Sequence, residues 1–312
     1  MSDNSAVSLL LLAGGLGSRF GGTKQLATVG PQGSAILDYS IREAAAVGVT
    51  RVVVVGRTDL DEDIRSHLVS QHGEDLDLVM VHQDAFGPAR AKPWGTGHAV
   101  VSARAVLDGP VVVLNADDHY GPTGIARIVK SFAGAESTVP SAAMLGFQLG
   151  RTIPETGTVS RGICTRDETG RLNGLVETHG IGRYGNAIRA TDPVGELSPE
   201  VSVSMNIWAL PAAAIDRLAE QWTAFHRSHG DSLTAEFLLP EALDEQRIEG
   251  RLSIEVVDTD EDWIGITNQE DLSAARAAFA AMRMTTERDS GGARRSSCGL
   301  PCGFRRSWRI SA

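Results

Sequence analysis

The sequence predicts an α/β fold: a Rossmann-like, doubly wound mixed sheet with a second lobe that contains a β-hairpin. Four short apolar runs without polar alternation lie before residue 116, as is typical of strands buried on both faces of a parallel sheet. Helical patterns separate these runs, as expected when helices cover both sides of the sheet. After Ser141, two strand patterns are joined by a short polar turn, which indicates the hairpin.

The N-terminal half alternates strands and helices. The predicted strands are Val7–Ala13, Arg51–Val55, Leu76–His82 and Val111–Asn115. The predicted helices are Ile36–Val47, Leu60–Gln71 and Gly97–Leu107. We expect Ser34 to cap the first helix, because a serine hydroxyl can accept a hydrogen bond from a backbone N–H of the first turn.

The C-terminal half is richer in strands. The predicted strands are Ala142–Leu149, Thr158–Arg166, Arg171–Glu177, Val201–Leu210, Leu252–Val257 and Trp263–Thr267. The predicted helices are Pro211–His226, Glu236–Gln246 and Gln269–Met284. The turn at 167–170 closes the hairpin, and the Gly- and Pro-rich segment His179–Pro199 is predicted to be a long loop.

Composition narrows the class of protein. A net charge of −10 excludes a general nucleic-acid binder, because neutralising backbone phosphates requires a basic face. The apolar run 7–13 is too short to span a bilayer, and the first five residues lack the basic residues of a signal peptide. We therefore expect a cytoplasmic protein with no membrane partner. The three cysteines suggest neither a disulfide framework nor a zinc site.

A glycine-rich loop follows directly on the first strand. Because glycine has no Cβ, backbone N–H groups in such a loop can approach an anion closely. The candidate nucleotide-binding residues here are Ala13, Gly14, Gly15, Gly17 and Ser18. Arg19 and Lys24 add two cations, which suit a triphosphate whose pyrophosphate leaves with developing negative charge. The glycine spacing matches a dinucleotide fingerprint only loosely, so an NAD-dependent dehydrogenase is the weaker interpretation.

A second glycine-containing segment reads Lys92-Pro93-Trp94-Gly95-Thr96-Gly97-His98-Ala99. A tight glycine turn with a threonine at a helix start offers a hydroxyl and amides to the edge of a base. Lys92, Gly95 and Thr96 are therefore candidate nucleotide-binding residues. His98 is interpreted as a packed helix residue.

Two carboxylates, Asp117 and Asp118, follow the predicted strand Val111–Asn115. Open α/β sheets bind ligands at the carboxyl ends of their strands, and Mg²⁺ prefers carboxylate oxygens. The alternative is that both acids cap the next helix at Thr123.

These segments carry a family resemblance. The first loop resembles the signature loop of sugar-nucleotide pyrophosphorylases, and the second resembles the Gly-Thr-Gly-His-Ala stretch of N-acetylglucosamine-1-phosphate uridylyltransferases. Lys24-Gln25 and the run Ser204–Trp208 fit a related group of nucleotidyltransferases. The resemblance covers about residues 7–284 and implies the fold of nucleotide-diphospho-sugar transferases.

The resemblance also implies roles for individual residues. It places Asp117 at the position of a metal-binding aspartate for Mg²⁺, with Asp118 in reserve, and it places the segment 92–99 against the base and ribose. The implied acceptor-binding residues are Gly157, Glu177 and Asn206. A carboxylate and an amide suit vicinal hydroxyls, because each can make two directional hydrogen bonds.

The sequence departs from the family pattern at two places. Relatives carry a lysine after the equivalent of Glu177, whereas this chain continues with Thr178 and His179. The cations that could replace this lysine are Arg161, Arg183 and Arg189. Relatives also carry a second metal ligand near the end of the lobe, where this chain has Gly265 and leaves Thr267 or Asn268 to substitute.

The expected activity is transfer of a nucleotidyl group from an NTP to a sugar-1-phosphate-like or cyclitol phosphate acceptor, assisted by Mg²⁺. The expected site residues are Arg19, Lys24 and Asp117, and a homo-oligomer is possible. The alternative is a catalytically silent relative that binds a nucleotide-sugar and regulates a partner. The expected domain spans residues 1–285, with a nucleotide-binding half (1–140) and an acceptor-binding half (141–285). Residues 286–312, with six arginines and two acids, have the composition of a disordered basic tail.

Overall fold

The computed structural model describes residues 6–15, 23–134, 139–266 and 268–292. The first part of the chain alternates strands and helices. These elements are β1 (Ser8–Leu12), α1 (Ile36–Ala46), β2 (Arg51–Gly56), α2 (Asp61–His72), β3 (Asp77–His82), α3 (Thr96–Ser102) and β4 (Val111–Asn115). Each predicted strand and helix of this half is present, with ends that differ by a few residues. The exception in length is α3, which stops at Ser102 and gives way to a 3-10 turn.

The second part is mostly strands, followed by helices. Its elements are β5 (Asp118–His119), α4 (Gly124–Lys130), β6 (Ser141–Gln148), β7 (Val159–Arg166), β8 (Leu172–Tyr184), β9 (Ala187–Thr191), β10 (Val194–Leu197), β11 (Ser202–Leu210), α5 (Ala212–His229), α6 (Leu239–Ile248), β12 (Ser253–Thr259), β13 (Ile264–Gly265) and α7 (Asp271–Gly292). The predicted hairpin is confirmed as β7 and β8, closed by hydrogen bonds between Asp167 and Arg171 and between Asp167 and Gly170.

One sheet of eleven strands organises the molecule, in the order β10-β9-β8-β7-β11-β4-β1-β2-β3, with β6 also paired to β11 and β12 paired to β6. Strands β4, β1, β2 and β3 run parallel. Strand β11 is antiparallel to β4 and joins the parallel part to the hairpin part. The doubly wound mixed α/β fold expected from the sequence is confirmed.

Apolar side chains pack on both faces of this sheet. Along β1, Leu9 and Leu11 belong to one core cluster and Leu10 to another, because neighbouring side chains of a strand point to opposite faces. Helices α1, α2 and α4 cover the first cluster, and α3, α5 and α6 cover the second. Fully burying a leucine contributes roughly 1.5–3 kcal/mol, so the central strands hold both helical layers in place.

The prediction of a long loop at His179–Pro199 is wrong. Strand β8 continues to Tyr184, and β9 and β10 follow as further antiparallel strands. Gly185 and Pro193 stand at the short turns between these strands, whereas Gly180, Gly182 and Gly195 lie within them. Ile188 and Ala190, two residues apart on β9, are buried, which is the alternation of a half-buried strand.

The cap predicted for α1 is also wrong. Ala35 is the N-cap residue, and its backbone N–H donates to Oδ2 of the buried Asp38 at 2.7 Å. The Ser34 hydroxyl instead donates to Gln71 Oε1. The carboxylate of Asp38 replaces the expected serine because it reaches back from inside the helix to the first free N–H.

Helix α7 continues to Gly292, past residue 285, where the folded part was expected to end. Residues 293–312 lie outside the described residues, so the expectation of a disordered tail remains a prediction, as does the division into two halves. No helix of the described chain combines the length and the apolar composition needed to cross a bilayer.

Candidate active site

The candidate site lies where two neighbouring parallel strands end. Leu12 of β1 pairs in register with Asn115 of β4, and the Ala116 N–H donates to the Leu12 carbonyl at 3.0 Å. Strand β1 therefore delivers Gly14 to the same edge at which β4 delivers Asp117. This edge is the carboxyl end of the parallel strands, where open α/β sheets bind ligands.

A buried glutamine fixes the chain after the glycine-rich loop. Gln25 is 6% exposed, and its Nε2 donates to the Ala13 carbonyl at 2.9 Å and to the Gly15 carbonyl at 3.2 Å. These two bonds tie the 3-10 turn Lys24–Leu26 to the end of β1. Lys24 is thus held beside the strand ends by its neighbour in sequence.

Lys24 and Asp117 form an ion pair through Nζ and Oδ2. Their side chains are 14% and 25% exposed, so the pair lies partly sheltered from solvent. The structure therefore joins the predicted pyrophosphate-binding cation to the predicted metal-binding carboxylate, although 92 residues of chain lie between them.

A first cavity of about 400 Å³ opens above this pair, and we call it the loop cavity. Its walls are Leu12, Gly14, Gly15, Lys24, Gln25, Gln83, Lys92, Pro93, Gly95, Thr96, Ala99, Asn115, Asp117, Glu236 and Leu238. Most of these residues belong to the two glycine-containing segments singled out in the sequence. The loop cavity therefore brings both segments together.

Close contacts explain two glycines of the loop cavity, one with a side chain and one with backbone. A Cβ on Gly14 would come within 2.5 Å of Gln83 Oε1. Gly95 has a φ of +104°, and a Cβ there would come within 2.6 Å of the Phe237 carbonyl oxygen. Gln83 Nε2 donates to the Gly95 carbonyl at 2.9 Å, so this side chain links the first glycine segment to the second.

The polar side chains of the second segment are already engaged. Lys92 Nζ lies 2.7 Å from Glu236 Oε2 and is 45% exposed. The Thr96 hydroxyl accepts a hydrogen bond from the Leu239 N–H at 3.0 Å, which anchors the start of α6. His98 is fully buried, and burial lowers its pKa to about 4, which confirms that it is a packed helix residue.

A second cavity of about 330 Å³ lies on the other side of β4, and we call it the strand cavity. Its walls are Asn115, Asp117, Asp118, Ser160, Arg161, Gly162, Glu177, Ser204, Met205, Asn206, Pro240 and Trp263. Asn115 and Asp117 line both cavities. The two cavities therefore share a wall, and that wall carries a carboxylate.

Asn206 reaches the shared wall because β11 is irregular at this point. The pairing of β11 with β6 shifts between Ser204 and Trp208, and Asn206 has a φ of +64°. Asn206 Nδ2 donates to Asn115 Oδ1 at 2.8 Å, and the Trp208 indole N–H donates to Asn206 Oδ1 at 3.1 Å. Asparagine tolerates this left-handed conformation better than most residues, so the bulge turns a polar side chain toward the cavity.

Asp118 extends the same network. Asn115 Nδ2 donates to Asp118 Oδ2 at 2.8 Å. Burial, and next the charge of Asp117, raise the pKa of Asp118. Gly265 pairs directly with Asp118, and a Cβ at Gly265 would come within 2.6 Å of Asp118 Oδ1. A carboxylate from β5 therefore already lies beside the backbone of Gly265.

The structure assembles most of the predicted site residues. Gly14, Gly15, Lys24, Lys92, Gly95, Thr96 and Asp117 line the loop cavity, and Asp117, Glu177 and Asn206 line the strand cavity. Ala13 is buried, and its carbonyl accepts a hydrogen bond from Gln25. Gly157 is exposed, has a φ of +89° that suits a turn, and lines neither cavity. Gly17, Ser18, Arg19 and Thr267 lie outside the described residues. The binding roles themselves remain predictions.

Sequence reasoning missed several residues that line the cavities, among them Gln83, Asn115, Ser160, Ser204 and Trp263. Gln83 and Asn115 had a usable signal, because each is a polar residue at the end of a parallel strand. Ser204 lies in the run Ser204–Trp208, which supported the family resemblance without marking the serine as a site residue. Ser160 had no signal, since only the pairing of β7 with its neighbouring strands places it there.

The chain is similar to known proteins in sequence and in fold. Residues 9–144 match the MobA-like NTP transferase domain. Over most of its length the chain is also similar to sugar-nucleotide nucleotidyltransferases. These similarities support the relationship to sugar-nucleotide nucleotidyltransferases that the motifs predicted.

Two curated relatives are each named bifunctional protein GlmU. The protein from Hyphomonas neptunium is 27% identical over 287 residues, which are 90% of this chain and 54% of the relative. The protein from Maricaulis maris is 28% identical over 278 residues, which are 87% of this chain and 52% of the relative. The chain thus spans about half the length of the curated relatives it matches.

A solved structure shares the fold. It is described as a glucose-1-phosphate thymidylyltransferase from Bacillus anthracis in complex with sucrose. The TM-score is 0.58 at 13% identity, and the alignment covers 88% of this chain and 95% of the other.

Proposed function

We propose that this chain joins the nucleotidyl group of an NTP to the phosphate of a sugar-1-phosphate-like acceptor and releases pyrophosphate. One observation carries the proposal: the loop cavity and the strand cavity meet at Asn115 and Asp117. Two substrates bound one in each cavity would face each other across this wall, and holding two reactants in this way removes much of the entropic cost of their encounter.

The loop cavity suits the nucleotide. Gly14 and Gly15 give a triphosphate access to the backbone, and Lys24 provides a cation at the cavity wall. Arg19 is proposed to add a second cation, as the sequence motif predicts. The segment from Lys92 to Thr96 borders the remaining space, which is the place for the base and ribose.

The strand cavity suits a polyhydroxy acceptor. Glu177 and Asn206 offer a carboxylate and an amide, and Ser160 and Ser204 add hydroxyls. We propose that the acceptor is a phosphorylated sugar or cyclitol, and that Glu177 and Asn206 bind its hydroxyl groups.

The proposed reaction is an in-line displacement. An acceptor phosphate oxygen forms a bond to the α-phosphorus of the NTP, the bond between the α-phosphorus and the α–β bridging oxygen breaks, and its electron pair leaves with pyrophosphate. A phosphate dianion is already nucleophilic, so no side chain needs to remove a proton. Positioning and neutralisation of charge by Lys24 and Arg19 then carry the catalysis.

The residues at the shared wall fit Mg²⁺. Asp117 and Asp118 supply carboxylates and Asn115 an amide oxygen, which are the hard oxygen ligands that this ion prefers. Over the described ranges, no group of three or more His, Cys, Asp or Glu residues could hold a metal by itself, so substrate phosphates would complete the coordination. When bound, the ion would neutralise charge on the triphosphate.

The ion pair between Lys24 and Asp117 fits this use of the site. When a metal–triphosphate complex binds, its phosphate oxygens would replace Asp117 as the partner of Lys24, and its cation would replace Lys24 as the partner of Asp117. Binding of the complex would therefore separate the pair without leaving either charge unpaired.

The test is a matrix of NTPs against sugar and cyclitol phosphates, read by Mg²⁺-dependent pyrophosphate release. We expect release with at least one pair of substrates, and Asp117→Asn should lower kcat by about 10²–10³-fold. Asp75→Asn is the matched control, because Asp75 is exposed in the turn before β3.

The alternative function, a silent regulatory relative, predicts a different result in the same experiment. If the protein binds an NTP or a nucleotide-sugar in calorimetry but releases no pyrophosphate with any substrate pair, the chain is a silent regulatory relative and the proposed activity is wrong.

Asp118 lies against Gly265, so a carboxylate is present where the sequence pattern alone suggested that one is missing.

A further inference from the structure

Arg161 is the cation of the strand cavity. It lies on β7 and lines the cavity together with Asp117, Asp118 and Glu177. Three carboxylates and one guanidinium therefore face the same space. An acceptor that brings its own phosphate into this space needs at least one fixed positive charge to meet it.

Backbone carbonyls hold the guanidinium in one orientation. Nη2 donates to the Thr152 carbonyl at 2.6 Å, and Nη1 donates to the Ser160 carbonyl at 2.8 Å. Nε donates to the Thr152 hydroxyl at 3.3 Å. Each terminal nitrogen of an arginine carries two N–H groups, so one on each remains to bind a ligand. The fork is therefore preorganised for two parallel bonds to an oxyanion.

No described carboxylate lies within 4.0 Å of the Arg161 guanidinium. The two other arginines that could replace the missing lysine differ in this respect. Arg183 lies 4.0 Å from Glu155 and donates to the Gly150 carbonyl, and Arg189 lies 3.9 Å from Glu196. Neither lines the strand cavity. Of the three arginines, Arg161 is the one that lines the cavity, where its charge interacts with those of Asp118 and Glu177 without a direct ion pair among the described residues.

Trp263 packs against the Arg161 guanidinium. The Arg161 guanidinium lies over the indole ring, 5.1 Å from its centroid, in a cation–π contact. The indole N–H of Trp263 is buried and has no hydrogen-bond partner among the described residues. Trp263 therefore contributes to the cavity through its ring, which holds the guanidinium in place.

We propose that Arg161 and Trp263 form the phosphate-binding corner of the strand cavity, and that their ligand is the phosphate monoester of the acceptor. The inference rests on the proposed function and names the residue that selects phosphorylated acceptors. Arg161 pairs across β7 and β8 with Thr178, which follows Glu177. The cation expected directly after the glutamate thus comes from the neighbouring strand.

The experiment compares Arg161→Gln with the wild type and with Arg183→Gln as matched control. The probes are glucose-1-phosphate, inositol-1-phosphate and their unphosphorylated parents, titrated in calorimetry with no turnover required. Arg161→Gln should weaken binding of the better phosphorylated probe by roughly 10–100-fold, since it loses a charge-assisted bidentate contact. Binding of the parent alcohol and of the NTP should stay unchanged, and Arg183→Gln should match the wild type.

Two further variants separate the phosphate contact from a role in folding. Arg161→Lys keeps the charge but loses the fork, so it should fall between wild type and Arg161→Gln. Trp263→Phe keeps an aromatic ring but weakens the cation–π contact that holds the guanidinium, and a roughly threefold loss of affinity is expected. Melting temperatures are measured for all variants, and a loss of affinity in a variant that is still folded at the assay temperature identifies the phosphate contact.

The inference fails if Arg161→Gln binds the phosphorylated probe as the wild type does, if it weakens the unphosphorylated parent equally, or if the wild type binds neither phosphorylated probe. Failure of the proposed function looks different. In that case the wild type releases no pyrophosphate, while the dependence of phosphate-ester binding on Arg161 can still be measured.

Discussion

The loop cavity and the strand cavity are built in different ways. Glycine backbone and loops that directly follow strands form much of the loop cavity, as at Gly14, Gly15 and Gly95. Side chains on the strands β7, β8 and β11 form most of the strand cavity. Backbone recognition leaves a mark in the sequence because it requires glycines at fixed positions, whereas side-chain recognition depends on the register of distant strands.

Among the tests of this difference between the two cavities, substitution of Lys24 is expected to have the largest effect on turnover. Lys24→Met removes a cation of the loop cavity and leaves Asp117 without its ion-pair partner. Turnover should fall by about 10²–10³-fold, as on removal of one preorganised donor. The KM for the acceptor should stay near the wild-type value, because Lys24 does not line the strand cavity.

The control for Lys24 is Lys130→Met, which changes an exposed lysine on α4. Steady-state pyrophosphate release at varied NTP and varied acceptor gives both constants. An acceptor KM that rises as much as the NTP KM would show that the two cavities do not act separately.

A smaller effect is expected on the free energy of unfolding at acid pH, because the scaffold behind the loop cavity contains a buried carboxylate. Asp38 on α1 is fully buried, and its two oxygens lie 2.8 Å from His67 Nε2 and His72 Nε2 on α2. Burial raises the pKa of Asp38, but hydrogen bonds from His67, His72 and the Ala35 N–H outweigh it and lower the pKa from 3.8 to about 2.

A pKa that is lower in the folded state means that the stabilisation is complete above the unfolded value. Asp38 should therefore contribute about 2 kcal/mol to the free energy of unfolding above pH 4, and this contribution should disappear as the pH falls through about 2. Urea unfolding at a series of pH values measures it. Asp38→Asn should flatten the dependence, and Asp63→Asn, at an exposed position of α2, should not.

A second experiment compares the stability of the scaffolds that carry the loop cavity and the strand cavity. Hydrogen exchange at acid pH should show loss of protection in α1 and α2 before the β7–β8 hairpin if the two regions unfold separately. Simultaneous loss would mean that the eleven-stranded sheet makes them one cooperative unit.

The smallest effect is expected at Gly14. In Gly14→Ala the new Cβ would lie 2.5 Å from Gln83 Oε1, so Gln83 must move and its bond to the Gly95 carbonyl weakens. We expect the Kd for the NTP to rise about tenfold, in line with the cost of overpacking a close contact. Calorimetry with the NTP alone measures it.

Gly195→Ala is the matched control for Gly14→Ala, because Gly195 has open space around its Cα and no positive φ. Unchanged NTP affinity in Gly14→Ala would contradict the idea that glycine backbone, and not a side chain, shapes the loop cavity.

Much of the candidate site was predictable because it is local in sequence. The segments Gly14–Gly15 and Lys92–Thr96 each follow a strand whose apolar run is visible, and Asp117 follows β4 in the same way. Parallel strands end at one edge, so these segments had to meet. The strands β9 and β10 were missed because they are short and largely exposed. The Gly and Pro residues in and around them therefore outweighed a weak hydrophobic alternation.

The sequence by itself determined the doubly wound sheet, the resemblance to nucleotidyltransferases and the two glycine-containing segments that line much of the loop cavity, because hydrophobic periodicity and glycine spacing act over short stretches of chain. Tertiary structure alone decided that Lys24 pairs with Asp117, that Asn206 bonds to Asn115 across β11 and β4, and that Arg161 faces the strand cavity. Each of these contacts depends on strand register and a bulge. Register is set by the packing of the whole sheet, so no single segment encodes it.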